Sequence, residues 1–312
     1  MKSVIAGLLI LFCVGFVFSE KAVGKLSVVS LIDKNSSAGE LVSFLIRISE
    51  MQNHTGMHVK YTYGSKKTPV LKSLFDLSSR GKHPIVFMDI SSFPLILSCK
   101  NTNITDLTYI SLIARDPYVL VTRKDFSWKT LSQFVEAGRK VDNRVTIGVS
   151  ENGVSGILGR SIEKLSGIKF LLVYIESLEG KVSSIMSGKI GTAILPLSWI
   201  YPRIYKLNRL RILAVVGDKR ARVLPNIPSF RDVGIKGLPN GNVIFVVGSQ
   251  GMSSTELGYV RNILKKAFKD SEWQSFCKSR GYEPIKPTNS GGFNYVRTEF
   301  EKVKRVLSPK TK

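Results

Sequence analysis

The stretch Ser150-Glu151-Asn152-Gly153-Val154-Ser155-Gly156 has the residue types and spacing best suited to binding chemistry. It follows the β-branched run Val145–Ser150 and precedes a segment ending near Leu165, before Gly167, so it reads as a strand-to-helix connection. Unpaired N–H groups and the positive end of a helix dipole converge at such a point and favour an anion. Ser150 and Ser155 add hydroxyls, with Ser155 the expected helix cap. Gly153 and Gly156 let a ligand approach the backbone, and Gly153 is a candidate for positive φ. A capped connection with no ligand is the plain alternative. Asn35-Ser36-Ser37-Ala38-Gly39 has the same character with fewer glycines. Two such loops facing each other would hold a carboxylate at each end of a small molecule.

Enzymatic constellations are poorly supported. The three histidines are His54, His58 and His83; Gly56 breaks any helix between the first two, and no HExxH pattern exists, so no metal is expected. The nucleophile elbow GxSxG, the phosphate loop GxxxxGK[ST] and the dinucleotide fingerprint GxGxxG are all missing, and no cofactor is expected. Glu151 and Glu176 are the acidic residues of the candidate loops. Exposed or salt-bridged roles are favoured for them over a general acid/base pair. Cys99 and Cys277 lack CxxC spacing, which leaves a disulfide or two thiols open.

These loops need a frame, and the chain alternates strand and helix. Strands are expected at 26–31, 59–63, 85–88, 145–150, 170–175, 192–197, 211–216 and 242–247. Helices are expected at 40–51, 71–79, 155–165, 179–187, 199–206, 255–269, 272–279 and 293–306. Leu41, Phe44, Leu45 and Ile48 recur at helical spacing in the first of these. With no hairpin signals between the strands, the expected fold class is α/β, with a mostly parallel sheet in each of two lobes. Chain crossings are expected at 117–123 and 237–243, giving lobes 20–119 plus 243–312 and 120–242. Loops at the strand carboxyl ends, 35–39, 64–68, 150–156 and 174–177, would face a cleft.

The N-terminus reads as a signal peptide over residues 1–19: Lys2, an uncharged apolar run from Val4 to Phe18, and Val17-Phe18-Ser19 at the cleavage position. About 15 apolar residues fall short of the ~20 a spanning helix needs. Lysine and arginine total 46 against 23 acidic residues, a formal charge of +23. The basic residues are scattered, without aromatic interleaving, helix-turn-helix or zinc-finger patterns, so no nucleic-acid partner is expected. An anion-attracting field, an anionic membrane surface and a lysine-rich proteome remain as explanations of the sign.

From Thr105 onward the chain resembles the substrate-binding component of tripartite tricarboxylate transporters, the Bordetella-uptake-gene (Bug) family. The words that carry the likeness are Thr105–Ala114, Tyr118–Val121, Ser150–Ser155, Tyr174–Gly191 and Leu210–Val215. The most specific is Lys219-Arg220 followed by Leu224-Pro225-Asn226-Ile227-Pro228-Ser229-Phe230 and Val233-Gly234. The resemblance implies a type II periplasmic-binding-protein fold whose lobes close on a carboxylate held by backbone amides and hydroxyls. By position, Ser150, Asn152, Gly153, Val154 and Ser155 form the second-lobe carboxylate loop. Tyr174 and Ser177 lie at the next strand end, and Asn35, Ser36, Ser37 and Gly39 in the first-lobe loop. It further implies a periplasmic, monomeric receptor serving large and small membrane subunits. Departures are Asp33-Lys34-Asn35-Ser36-Ser37 in place of a Pro-Pro-Gly-Gly stretch, Ile157 in place of a histidine, and Gly191 in place of an aspartate. An exported enzyme on the same two-lobe fold, or a diverged member that no longer binds solute, are the competing readings.

Overall fold

The computed structural model describes residues 27–53, 58–61, 84–99, 103–140, 145–203, 206–249, 251–285 and 289–308. The expected signal peptide, the 71–79 helix, the 64–68 loop, His54 and His83 lie outside the described residues. In chain order, β1 (Ser27–Ser30) leads to α1 (Ser37–Asn53), β2 (His58–Tyr61), β3 (Ile85–Met88) and α2 (Phe93–Ser98). Next come β4 (Thr108–Asp116) and β5 (Tyr118–Arg123), with Pro117 alone between them. The middle of the chain forms α3 (Leu131–Arg139), β6 (Thr146–Val149), α4 (Val154–Ser166), β7 (Leu171–Tyr174), α5 (Leu178–Met186), β8 (Thr192–Pro196), α6 (Leu197–Ile200) and β9 (Leu210–Val216). The chain ends through β10 (Asn242–Gly248), α7 (Ser254–Lys269), α8 (Ser271–Arg280), β11 (Glu283–Pro284) and α9 (Asn289–Leu307).

The strands make two sheets, one in the order β11-β4-β10-β3-β1-β2 and one in the order β7-β6-β8-β5-β9. The molecule is therefore a two-lobed α/β structure, but neither sheet is mostly parallel as expected. Parallel pairing holds β2-β1-β3 and β7-β6-β8. The strands next to the crossings, β4, β5, β9 and β10, pair antiparallel with their neighbours. The reason is connectivity: a single proline between β4 and β5 sends one continuous extended run from the first sheet into the second. The expected 199–206 helix is also shorter, with α6 followed by a 3₁₀ turn at Tyr201–Arg203.

Packing follows the apolar periodicity. α1 buries Leu41, Val42, Leu45 and Ile48 in a cluster with Trp273 and Cys277 of α8. Each such side chain, fully buried, contributes about 1.5–3 kcal/mol. A larger cluster runs through both lobes, uniting Phe93 and Phe245 with Ile157, Leu158 and Ile162 of α4 and Phe300 of α9. The Phe300 ring meets Phe93 edge-on at 5.2 Å. Lys164 of α4 reaches the end of α9, donating to Arg305 O and Ser308 O at 2.7 Å each. The last helix is thus fastened to both lobes. No disulfide joins Cys99 and Cys277.

The crossings are close together and well anchored. Gly241, at φ 83°, lies where an added Cβ would come 3.0 Å from Pro117 Cα, so only a glycine lets the returning segment pass the outgoing one. Asn240 donates from its backbone N–H and its amide to the buried Glu299 carboxylate at 2.8 and 2.9 Å. Lys302 bridges Glu299 and Asp218 at 3.1 Å each.

Candidate functional site

The two loops singled out in the sequence share one construction. In each, a residue of the loop after the strand is followed three positions later by a helix-capping residue and three further on by a glycine. Asp33, Ser36 and Gly39 open α1; Ser150, Gly153 and Gly156 open α4. A Cβ on Gly39 would sit 2.7 Å from Lys34 O and closer still to Asp33 O. On Gly156 it would sit 2.8 Å from Glu151 O and closer still to Ser150 O. Each glycine lets the loop fold down onto the first helical turn.

The capping differs between them. In the first loop several donors bond internally: Asn35 N–H binds Asp33 Oδ1 at 3.0 Å, Ser36 N–H binds Asp33 O at 3.1 Å, and Gly39 N–H binds Ser36 Oγ at 3.1 Å, while the Ser37 and Ala38 N–H groups precede any intrahelical acceptor. In the second, the cap is Gly153 and not the expected Ser155, and it contributes no side-chain bond. Gly153 has φ −98° and ψ 178°, so the positive φ considered for it does not occur. Gly156 and Ile157 N–H both return to Gly153 O at 3.1 and 3.2 Å. The N–H groups of Val154 and Ser155 precede any intrahelical acceptor. Ser155 Oγ instead accepts from Ser150 N–H at 2.8 Å, holding the loop over the helix start.

A cleft of about 810 Å³ lies between the loops. Asn35, Ser36 and Ser37 line one wall, and Ser150, Asn152, Gly153, Val154, Ser155 and Ser177 the other. Two expected site residues are not brought there. Gly39 packs beneath the Asp33 turn, and Tyr174, half exposed at 52%, belongs to the edge strand β7. Residues that sequence reasoning missed complete the lining, among them Asp89, Tyr118, Lys181, Trp199, Arg203, Asn242 and Arg280. Asp89 and Asn242 form the first-lobe floor, the Asn242 amide donating to Asp89 Oδ2 at 3.0 Å. Behind Tyr118, buried Asp116 accepts from Ser198 Oγ at 2.5 Å and Ser198 N–H at 3.1 Å. Burial pushes the Asp116 carboxyl up to about 7 against these bonds.

The chain's large positive charge is not concentrated here. Lys34, Lys181, Arg203 and Arg280 face the cleft alongside Asp33, Glu40, Asp89, Glu176 and Glu179. Arg280 is already engaged, its two terminal nitrogens donating to Glu40 at 3.0 and 2.6 Å. Arg203 stacks over Trp199, 4.8 Å from the ring centre, and donates to Trp199 O at 2.9 Å. Lys181 is almost wholly buried and donates to Ser150 Oγ at 2.7 Å. Glu176 Oε1 accepts from Glu151 N–H at 2.9 Å, so the two glutamates tie neighbouring loops together through one side chain and one backbone group. Among the described residues no cluster of metal-ligating side chains occurs.

Two α/β lobes with a polar, loop-walled cleft between them define a bilobal binding protein. The model of the tripartite tricarboxylate transporter family receptor matches residues 84–311, and the chain belongs to that receptor family, not to a family of enzymes. A UPF0065 protein from the TAR-I ttuE-ttuC' intergenic region of Agrobacterium vitis is 30% identical over 134 residues, 43% of this chain and 38% of that protein. The match thus spans less than half of that relative's length. Among solved structures, MatC from Rhodopseudomonas palustris with bound malate has a TM-score of 0.72 at 14% identity, covering 92% of this chain and 100% of MatC. Rpa4515 of R. palustris, with adipate, has a TM-score of 0.73 at 14% identity, covering 92% and 97%. The resemblance read from Thr105 onward and the two-lobed fold are both borne out.

Proposed function

We propose that this chain is the exported, periplasmic receptor of a tripartite tricarboxylate-type transporter, which captures a small organic acid and delivers it to large and small membrane subunits. The observation that carries the ligand reading is the open start of α4 on the cleft wall. A glycine cap leaves N–H donors at the positive end of a helix, with the Ser150 and Ser155 hydroxyls beside them, an arrangement suited to a carboxylate. Malate in MatC and adipate in Rpa4515 support an acid of that size. Ser150, Asn152, Gly153, Val154, Ser155 and Ser177 hold the acid in this reading. Asn35, Ser36 and Ser37 form the opposing wall, and the protein works as a monomer.

The test is a thermal-shift scan of the purified chain against mono-, di- and tricarboxylates, malate and adipate included. A ligand at a hundredfold excess over its Kd stabilises the native state by about 2.7 kcal/mol. At least one acid should raise the melting temperature by several degrees and survive incubation chemically unchanged. No shift with any acid refutes capture, and turnover of the stabilising acid refutes a purely binding role.

A further inference from the structure

Lys181 occupies a position that packing alone does not justify. It lies in the first turn of α5, near the positive end of that helix, where a cation is electrostatically unfavourable. The residue is 1% exposed, so its ammonium has lost most of its water. An ammonium offers three donors. Among the described residues its hydrogen-bond partner is Ser150 Oγ, at 2.7 Å, and no carboxylate comes within ion-pair distance. Glu176, which attracts it, is turned toward the Glu151 N–H. A buried charge so sparsely compensated costs stability. Yet Lys181 borders the cleft, and its one partner, Ser150, belongs to the loop that opens α4.

We propose that Lys181 is the specificity-determining cation of this cleft: its ammonium pairs with the ligand carboxylate resting on the α4 start, so the receptor requires an ionised acid and rejects neutral analogues. This deepens the receptor reading above and rests on it. Ser150 then has two roles, since its oxygen accepts from Lys181 and its own proton is left to donate to the same carboxylate. Burial also holds the Lys181 ammonium down, to about 8, against the pull of Glu176. A bound carboxylate favours the charged form, so above pH 8 binding takes up a proton and affinity falls as the pH rises. Glu176 of the adjoining loop, and Glu179 on α5 itself and Arg203, which line the same cleft, are the other charges around this position. All three persist when Lys181 alone is replaced.

Calorimetry with malate and adipate tests the proposal on the unmodified chain, Lys181→Met and Lys181→Arg. The Met variant should bind roughly ten- to a hundredfold more weakly, the worth of a charged hydrogen bond, while the ligand-free protein melts no lower than before. Arg should retain most of the affinity, and dimethyl adipate, which keeps the carbon chain without its charges, should not bind the unmodified protein. At pH 9, heats measured in two buffers of unlike ionisation enthalpy should report proton uptake by the unmodified protein and none by either variant. Undiminished affinity of a folded Lys181→Met chain for an acid the unmodified chain binds overturns this assignment and leaves the receptor reading standing. If neither variant folds, the unmodified protein decides: acid binding without proton uptake at pH 9 overturns it. An unmodified chain that binds no carboxylate overturns both.

Discussion

Gly156→Ala is the most informative single substitution in the α4 loop. In most helices this exchange stabilises by about 0.5–1 kcal/mol. Here the added Cβ would lie 2.8 Å from Glu151 O and closer to Ser150 O, whereas non-bonded heavy atoms settle at roughly 3.5–4.0 Å. Backbone, and no flexible side chain, is in the way, so the Ser150–Glu151 segment must lift off the helix. Lifting it breaks the Ser150 N–H bond to Ser155 Oγ and the Lys181 bond to Ser150 Oγ, at 2.8 and 2.7 Å. Those bonds are worth about 1 and about 1.5–3 kcal/mol. Set against the helical gain, the net loss is about 1.5–3.5 kcal/mol, with the anion-binding geometry lost as well. Gly153→Ala is the control: at φ −98° an alanine is unstrained, and its Cβ would meet Ser150 Cβ at 3.1 Å, a contact a small shift relieves. Urea unfolding of both variants, with calorimetric affinity for the acid found in the thermal scan, measures the difference. If Gly156→Ala is as stable as the unmodified protein and binds as tightly, the loop does not rest on the helix as described, and the account of the anion site is wrong.

Other expectations follow from the surrounding structure. The native state holds the Asp116 proton more tightly than the unfolded chain, since the carboxyl is raised from 3.8 to about 7. Stability should therefore decline as the pH rises between those values, by up to about 4 kcal/mol, and level off above. Asp116→Asn should flatten that part of the curve in urea melts taken across pH 4–8. Glu299→Ala leaves both Asn240 donors unpaired in the interior and takes one of two carboxylates from Lys302, and should cost about 3–5 kcal/mol by chemical unfolding. Ser36→Ala removes the side-chain bond to Gly39 N–H and should cost about 1 kcal/mol of stability by urea unfolding. Ligand at saturation should reduce the radius of gyration in solution scattering through hinge closure, and an unchanged radius would count against it.

Where the signal was local, the sequence was a good guide. Leu41, Phe44, Leu45 and Ile48 predict α1 because one helical face is buried against a neighbour. The Val145–Val216 region predicts β6 to β9 because each strand there is bounded by a glycine or polar turn. The pairing directions were not legible. In Thr108–Asp116, eight of nine residues are buried, so the strand shows no alternation of apolar and polar positions, and its antiparallel partner β10 lies more than a hundred residues downstream. Lys181 had no local signal either. On a helix starting with Leu178-Glu179-Gly180 it looks like one more solvated cation, and only the fold places it against Ser150, 31 residues earlier. Tyr174 illustrates the converse: it stands at a strand end, as expected of a site residue, but on an edge strand with its side chain half exposed.

The matched spacing of Asp33-Ser36-Gly39 and Ser150-Gly153-Gly156 suggests two equivalent anion sites, yet the chemistry of the caps makes them unequal. The serine cap engages one helix-start donor, Gly39 N–H, and the Asp33 carboxylate adds a negative charge to the same loop. The glycine cap engages none through a side chain, and the Lys181 ammonium donates to Ser150 of that loop. In the proposed receptor reading, one carboxylate therefore rests on the α4 wall. On that reading the first-lobe wall, where Asp33 and Asp89 line the cleft with Asn35 and Ser36, is better suited to hydroxyl, amide or protonated groups at the far end of the same ligand.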